Sequence, residues 1–535
     1  MLSAARVIQY APARKVPCAV AASASVRPSA APSICPKSVR TLTKTARSTR
    51  SDHISPQARS HQSASNNGLI SPHPAVATAG HQYRTMATSS SPSPSVQFGE
   101  KYVTAGLSRS LNAVVEKGEG SYLFVEDGRK MLDFTCGIGV TNLGHCHPRI
   151  SAAAAKQCME VVHMQCSIAF HPPYLKLIEK VLPLMPDPSL NSFFWWNSGS
   201  EAIEAAIKIA RTATGRQNII SMQGAYHGRT FGAMAVTKSK TVYSEGVHPL
   251  MPGVYTLPYP YWHHFGLPPS TPSSQLSSLC LAQLDLLLKQ QTAPRDTAAI
   301  LIETVLGEGG YIPAPPEFLR GLREVCDKHG ILLIIDEVQC GYGRAGKQFA
   351  IEYSGVRPDI MTIAKGLANG FPLSGVISRK EITDKLKAGS MGGTYAGNAV
   401  ACAAACEVVD VMREEKVLEN VNERSQELFT ALNALRNNPK LAPCILDVRG
   451  QGLMVAVEFA SPVGTGAHDP FVNPSVPKSL ASRIAKRCQE KGMLILTTSV
   501  YEVIRFIPPL NITKEDLAKG CQIFKKAVEE VVREG

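Results

Sequence analysis

Acidic residues are almost missing from the first 99 positions. That stretch holds eleven Lys/Arg and one acid, Asp52, so it carries +10 of the chain's +13 and leaves +3 for residues 100–535. A strongly basic catalytic body, and nucleic-acid binding with it, thereby loses its support. Long apolar runs are missing as well. Runs such as "ILLII" at 331–335 are strand-sized, against the roughly 18 residues of a membrane span. No two of the 14 cysteines form a C-x-x-C pair. A 535-residue chain with 44% apolar residues builds its core without disulfides, so free thiols in a reducing compartment are expected.

The first 99 residues also lack the central apolar core of a secretory signal. They are rich in Ser, Ala, Thr, Pro and Arg, the composition of an organellar transit peptide. A mitochondrial matrix address is expected; the alternative is a disordered tail that addresses nothing. Initiation at Met86 would yield a shorter, leaderless cytosolic form.

Ordered sequence is expected from about Glu100. Apolar strand-like runs then alternate with helical ones: 121–128, 192–197, 218–224, 298–305, 331–338 and 359–366, with helix-period stretches at 200–213 and 316–329. This order implies an α/β fold with a mostly parallel sheet covered on both faces. Residues 257–297, rich in Pro, Ser and Gln, read as an insertion or extended surface region, with His263 and His264 at the surface. Helices at 400–437 and strands at 452–459 and 492–499 suggest a second, smaller α+β domain.

Three features carry chemistry. Ser198 and Glu201 fit a capping box, and Ile203, Ala206, Ile207 and Ala210 share one face of the helix that follows. Gly199 and Ser200 at its start expose free N–H groups to an anion such as phosphate. Asp336 ends the run "ILLIID"; with Gln339 three residues on, it either caps a turn or faces a cationic ring nitrogen. "GYGRAGKQ" at 341–348 nearly fits a nucleotide-binding loop. However, Gln348 removes the Mg²⁺-binding hydroxyl, and the loop follows the acidic strand instead of preceding it, so an ATPase is excluded. Lys365 sits in the uncharged run "MTIAKGLANGFPLSG". Alone it could be a solvated loop residue. Beside a phosphate site and a strand-end acid, its lowered pKa suits pyridoxal 5′-phosphate (PLP) chemistry. His145 and His147 flank Cys146, but one short cluster does not make a metal site.

From about residue 101 to the C-terminus the chain resembles the class III, or omega-amino-acid, aminotransferases of PLP fold type I, most nearly the 4-aminobutyrate enzymes. The motifs are "GHCHP" (144–148), "NSGSEAIEAAIKIAR", "YHGRT" (226–230), "IETVLGEGG" (302–310), "IIDEVQCGYGRAG", "AKGLANGFPLSG", "GGTYAGN" (392–398) and "VRGQGLM" (448–454). The resemblance implies a large PLP-binding domain at 152–415. It implies a small domain built from 100–151 and 416–535. Lys365 matches the lysine that holds PLP and moves the substrate proton. Asp336 matches the partner of the pyridine nitrogen, Gln339 that of the ring 3′-oxygen, and Gly199 and Ser200 the phosphate cradle. Tyr226 matches the residue stacked on the ring. Thr394 matches a hydroxyl sent to the phosphate of the other subunit, which implies a homodimer with shared sites.

On the substrate side, Arg229 resembles the residue that binds the carboxylate remote from the reacting amine. Arg505 resembles the residue that binds the α-carboxylate of glutamate or 2-oxoglutarate. Glu308 resembles the acid that pairs with that arginine when no α-carboxylate is present, and Ile138 a residue packed on substrate. The implied reaction moves the amino group of 4-aminobutyrate to 2-oxoglutarate, giving a semialdehyde and glutamate. Acetylornithine, ornithine or β-alanine are the alternative donors, and a PLP aminomutase or decarboxylase the alternative chemistry. A PLP-fold binding protein is disfavoured by the presence of Lys365 and Asp336. Thr304, Leu306 and Ala399 depart from the family's usual residues, and Leu306 leaves the donor open.

Overall fold

A computed structural model of the chain describes residues 92–535. Up to position 91, the expected leader, its mitochondrial address and Met86 lie outside the described residues. The rest of the leader needs a correction. Pro94–Tyr102 is a helix, with Pro94 in its first turn and Ser93 Oγ accepting from Val96 N at 3.2 Å. The Ser-Pro pair that reads as leader composition is also a helix-start signal.

Seven strands form the central sheet: Leu190–Trp196 (β1), Asn218–Met222 (β2), Val254–Leu257 (β3), Thr297–Glu303 (β4), Leu332–Asp336 (β5), Ile360–Ile363 (β6) and Ser374–Arg379 (β7). Their spatial order is β1-β7-β6-β5-β4-β2-β3. β7 runs against both of its neighbours and the other strands run together. Every residue of β4 and β6 is buried, as strands covered on both faces require. The helix Gly199–Thr214 covers part of one face through Ile203, Ala206, Ile207 and Ala210, all buried. Burying each isoleucine contributes about 1.5–3 kcal/mol. Gly215, at φ 69°, ends the helix in the left-handed region that glycine adopts without strain.

Parallel strands bring their C-terminal ends to one edge. Asp336 lies in register with Glu303 on one side and Thr362 on the other, and Lys365 follows β6 by two residues. The site is therefore fixed by sheet register.

Elsewhere, Ile445–Gln451, Met454–Phe459, Val503–Phe506 and Leu496–Thr498 form an antiparallel sheet. Val115–Glu119, Tyr122–Val125 and Lys130–Asp133 form another, completed by Met493–Leu494 from near the other end of the chain. The run at 492–499 thus supplies two short strands to two sheets, instead of the single strand expected.

The reading of 257–297 is also corrected. Ser273–Gln290 is a helix packed on the helix Pro316–His329, with Leu276, Cys280, Leu284 and Leu287 buried. That helical spacing outweighs the polar composition around it. The His263 side chain is only 5% exposed, its ring stacked between Trp262 (3.6 Å) and Tyr501 (3.9 Å) and paired with Glu458. Burial pushes the His264 imidazole down to about 4. His145 and His147 are engaged by separate carboxylates, Asp133 at 2.8 Å and Glu415 at 3.4 Å. Every described cysteine is a free thiol, and no described helix is long and apolar enough to cross a membrane.

Candidate active site

The edge where β4, β5 and β6 end borders a cavity of about 300 Å³. Lys365, Asp336, Gln339, Tyr226, Gly199 and Ser200, all expected from sequence, line it together.

Three donors orient Asp336. His227 Nδ1 lies 2.7 Å from Oδ2, while Val338 N (2.9 Å) and Thr362 Oγ1 (3.2 Å) donate to Oδ1. His227 is buried, with Nε2 unpaired. It stands inside "YHGRT", yet its role needed the fold: 109 residues separate it from Asp336. The signal available in sequence was a strand-end acid in search of a partner. Gln339 Oε1 accepts from Tyr311 OH at 2.9 Å, so its amide nitrogen is the end available as a donor.

Lys365 has φ 48°, a conformation that costs a non-glycine residue about 1 kcal/mol or more and persists only where the surroundings impose it. Loss of water in the cavity pushes its pKa down, and the Asp336 and Glu303 carboxylates offset part of that. Among the described residues, its ammonium forms no ion pair. A lowered pKa enlarges the share of the amine that is free to act as a nucleophile.

The helix Gly199–Thr214 starts at the cavity. Ser198 Oγ accepts from Glu201 N at 3.3 Å. The capping box is only half made, because Glu201 accepts from the Ser198 hydroxyl and the Asn197 amide, at 2.9 and 3.0 Å. The first N–H groups of the helix keep their polarity toward an anion. Chain packs tightly around this start. A Cβ on Gly228, itself at φ 126°, would fall 2.1 Å from Ser200 Oγ, and one on Gly199 would fall 3.0 Å from Val338 Cγ1.

Glu303 was not read from the sequence. It lines the cavity, and its two oxygens accept from Tyr226 N and Gly307 N, both at 2.9 Å. Burial pushes its carboxyl up to about 7, with His227 opposing and Asp336 adding to the shift.

A second cluster adjoins this one. Arg505, on Val503–Phe506, is buried and donates through Nη1 to Glu308 Oε2 at 2.9 Å. Glu308 Oε1 accepts from Lys240 Nζ at 2.7 Å and Tyr243 OH at 3.1 Å. Burial alone would raise the Glu308 carboxyl, but the Arg505 and Lys240 cations outweigh it and hold the group below its usual range. Both clusters act on Lys365, whose charge feels Arg505 and Glu308. Arg229 is exposed. Its Nε donates to Tyr226 OH at 3.1 Å, and its guanidinium lies 4.4 Å from the Tyr243 ring centroid. Lys240 and Tyr243 carried no sequence signal of their own.

Five expected residues are not among those lining the cavity: Arg229, Arg505 and Glu308, which stand in the adjoining cluster, and Thr394 and Ile138. Thr394 is exposed, and Ile138 is 40% exposed at φ 66°. Leu306 is buried away from the cavity, close against Gly224 and Gly309.

The family model for class III aminotransferases matches residues 103–528. The chain is a class III aminotransferase. It is 39% identical to 4-aminobutyrate aminotransferase GabT of Escherichia coli, over 81% of this chain and 98% of that one. It is 38% identical to 5-aminovalerate aminotransferase DavT of Pseudomonas putida, over 80% and 96%. Among solved structures, a Bacillus anthracis aminotransferase superposes with a TM-score of 0.72 at 28% identity, covering 82% of this chain and 98% of that one. An omega transaminase from Pseudomonas jessenii, in complex with PMP, gives 0.74 at 25%, covering 83% and 99%. The fold is PLP fold type I.

The aminotransferase's cavity fits the family's cofactor, PLP. It offers an amine without an ion-pair partner, a fixed carboxylate for a ring nitrogen, an amide donor and a helix start for phosphate. Bound there, PLP supplies an electron sink for the carbon bearing the amino group.

Proposed function

We propose that this aminotransferase takes the terminal amino group of an ω-amino acid, 4-aminobutyrate foremost, and passes it to 2-oxoglutarate, giving a semialdehyde and glutamate. The observation that carries this reading is the buried Arg505–Glu308 pair at 2.9 Å. A donor without an α-carboxylate leaves Arg505 unmatched, and an unpaired guanidinium in a dry site is costly. Glu308 supplies the missing charge. A dicarboxylate brings its own carboxylate for the guanidinium fork. The two half-reactions can then share one site.

The residues divide the work. Lys365 Nζ takes and returns the proton at the amino-bearing carbon. With PLP bound, Asp336, held by His227, would pair with the ring nitrogen. Gln339 would donate to the ring oxygen, Gly199 and Ser200 would offer backbone N–H groups to the phosphate, and Tyr226 would pack on the ring. Arg229, braced by Tyr226 and Tyr243, binds the remote carboxylate.

The test is a panel of amino donors with 2-oxoglutarate, followed by glutamate formation. 4-Aminobutyrate, 5-aminovalerate, β-alanine, ornithine and acetylornithine are ranked by kcat/KM. If no donor yields glutamate while PLP-dependent turnover persists, the aminomutase or decarboxylase alternative gains. Arg229→Ala is expected to raise KM for 4-aminobutyrate roughly tenfold or more and to spare an amine donor lacking a carboxylate. Equal losses for both would refute the remote-carboxylate role.

The homodimer belongs to this reading. Thr394 stands exposed outside its own cavity, and Met159, Ile168, Phe170 and Tyr395 expose apolar surface that a second copy would cover. The mitochondrial address rests on the composition of residues 1–99. A fluorescent protein carrying that segment should enter mitochondria, and one left in the cytosol would refute the address.

A further inference from the structure

We propose that Lys240 and Tyr243 form a holding site for the Glu308 carboxylate when Arg505 turns to a dicarboxylate, so that the Tyr243 hydroxyl favours 2-oxoglutarate and glutamate over ω-amino acids. The inference rests on the two-substrate reading above and adds the residues that make the exchange affordable.

Charge counting shows why a holding site is needed. With an ω-amino acid bound, the cluster holds two cations, Arg505 and Lys240, and one carboxylate, Glu308. A dicarboxylate adds a second carboxylate. The cluster then resolves into two pairs: ligand with Arg505, and Glu308 with Lys240. Without Lys240, Glu308 would be left charged and unpaired in a site where its side chain is only 13% exposed, which is strongly unfavourable.

The geometry is already divided in this way. One Glu308 oxygen faces Arg505. The other accepts from Lys240 and Tyr243, at 2.7 and 3.1 Å. Release of the Arg505 contact therefore leaves two donors in place. The Tyr243 phenol is held above its usual pKa by burial and by the Glu308 charge, so it remains a donor. The backbone stays fixed meanwhile, because the Glu308 carbonyl accepts from Ser499 N at 2.9 Å and Thr498 Oγ1 at 3.0 Å. The exchange then falls to the side chain. Tyr243 also lies beneath the Arg229 guanidinium, so one ring touches both carboxylate-binding arginine sites, directly or through Glu308.

Tyr243→Phe keeps the ring under Arg229 and removes only the hydroxyl. The probes are two inert ligands, glutarate and butyrate, titrated calorimetrically into PLP-loaded enzyme. In Tyr243→Phe, glutarate should bind roughly five- to tenfold more weakly, the scale of one net hydrogen bond, because the Tyr243 bond to Glu308 strengthens once Arg505 has left it, and the butyrate Kd should move less than about twofold. Lys240→Gln, as a second variant, should weaken glutarate further. The half-reaction with glutamate should slow relative to that with 4-aminobutyrate. Equal weakening of both ligands by both variants, or tighter glutarate binding, would overturn the proposal. The underlying reading fails separately, if Arg229→Ala leaves butyrate binding unchanged in the wild-type background.

Discussion

Replacing Lys365 with alanine is expected to abolish the visible absorbance that the wild-type protein shows with PLP, and to lower turnover on the order of 10³-fold or more. Three observations set the size of this effect. The lysine enters the cavity from a left-handed backbone conformation, which a loop free to relax would abandon. Its pKa is pushed down by loss of water, which Asp336 and Glu303 only partly offset. Among the described residues no other lysine lines the cavity, so none of them supplies a replacement amine there. The substitution removes a polar group from a partly dry site without adding bulk, so the melting temperature should hold. A variant that keeps both colour and turnover would show that the reactive amine lies elsewhere. A wild-type protein that stays colourless with PLP would refute the whole site.

The second large effect is at Arg505. Arg505→Ala should lower kcat/KM for 2-oxoglutarate by about 2–5 kcal/mol, the scale of truncating one partner of a buried charged pair. The loss for 4-aminobutyrate should be smaller, because on the proposed reading that donor brings no carboxylate to Arg505. The two half-reactions, run separately and followed by absorbance, give the comparison. Glu308 keeps Lys240 and Tyr243 as partners in this variant, which limits the cost of leaving it unpaired. Matching losses in both half-reactions would mean that Arg505 supports the fold of the site and does not select the substrate.

Much of this arrangement could be read from the chain before any fold was known. The apolar runs expected at 192–197, 218–224, 298–305, 331–338 and 359–366 correspond to β1, β2, β4, β5 and β6. Apart from the edge strand β1, these strands are almost wholly buried, so their signal is continuous hydrophobicity, which survives without knowledge of neighbours. β3 and β7 are not among those runs. β3 has only four residues, and β7 opens with Ser-Gly. The region at 257–297 misled for a different reason. Its Pro, Ser and Gln dominate the average composition, while its helix is defined by a few leucines and a cysteine at helical spacing.

The site divides in the same way. Lys365, Asp336, Gln339 and the start of the helix at Gly199 were legible because each sits at the end of a local element, where its chemistry stands out against its flanks. His227, Glu303, Lys240 and Tyr243 were not. Each is an ordinary polar residue until its partner is known, and those partners lie far along the chain: 109 residues from His227 to Asp336, 68 from Lys240 to Glu308.

The sequence by itself determined five of the seven central strands, the family, and the lysine and aspartate at its chemical centre. These rest on local hydrophobic periodicity and on residues whose spacing is preserved along the chain. Only the tertiary structure decided which charges meet. Arg505 and Glu308 are 197 residues apart, and their pairing with each other, and of Glu308 with Lys240 and Tyr243, follows from sheet register and burial. Electrostatic coupling falls off over a few ångströms and depends on exclusion of water, quantities that a linear sequence does not contain.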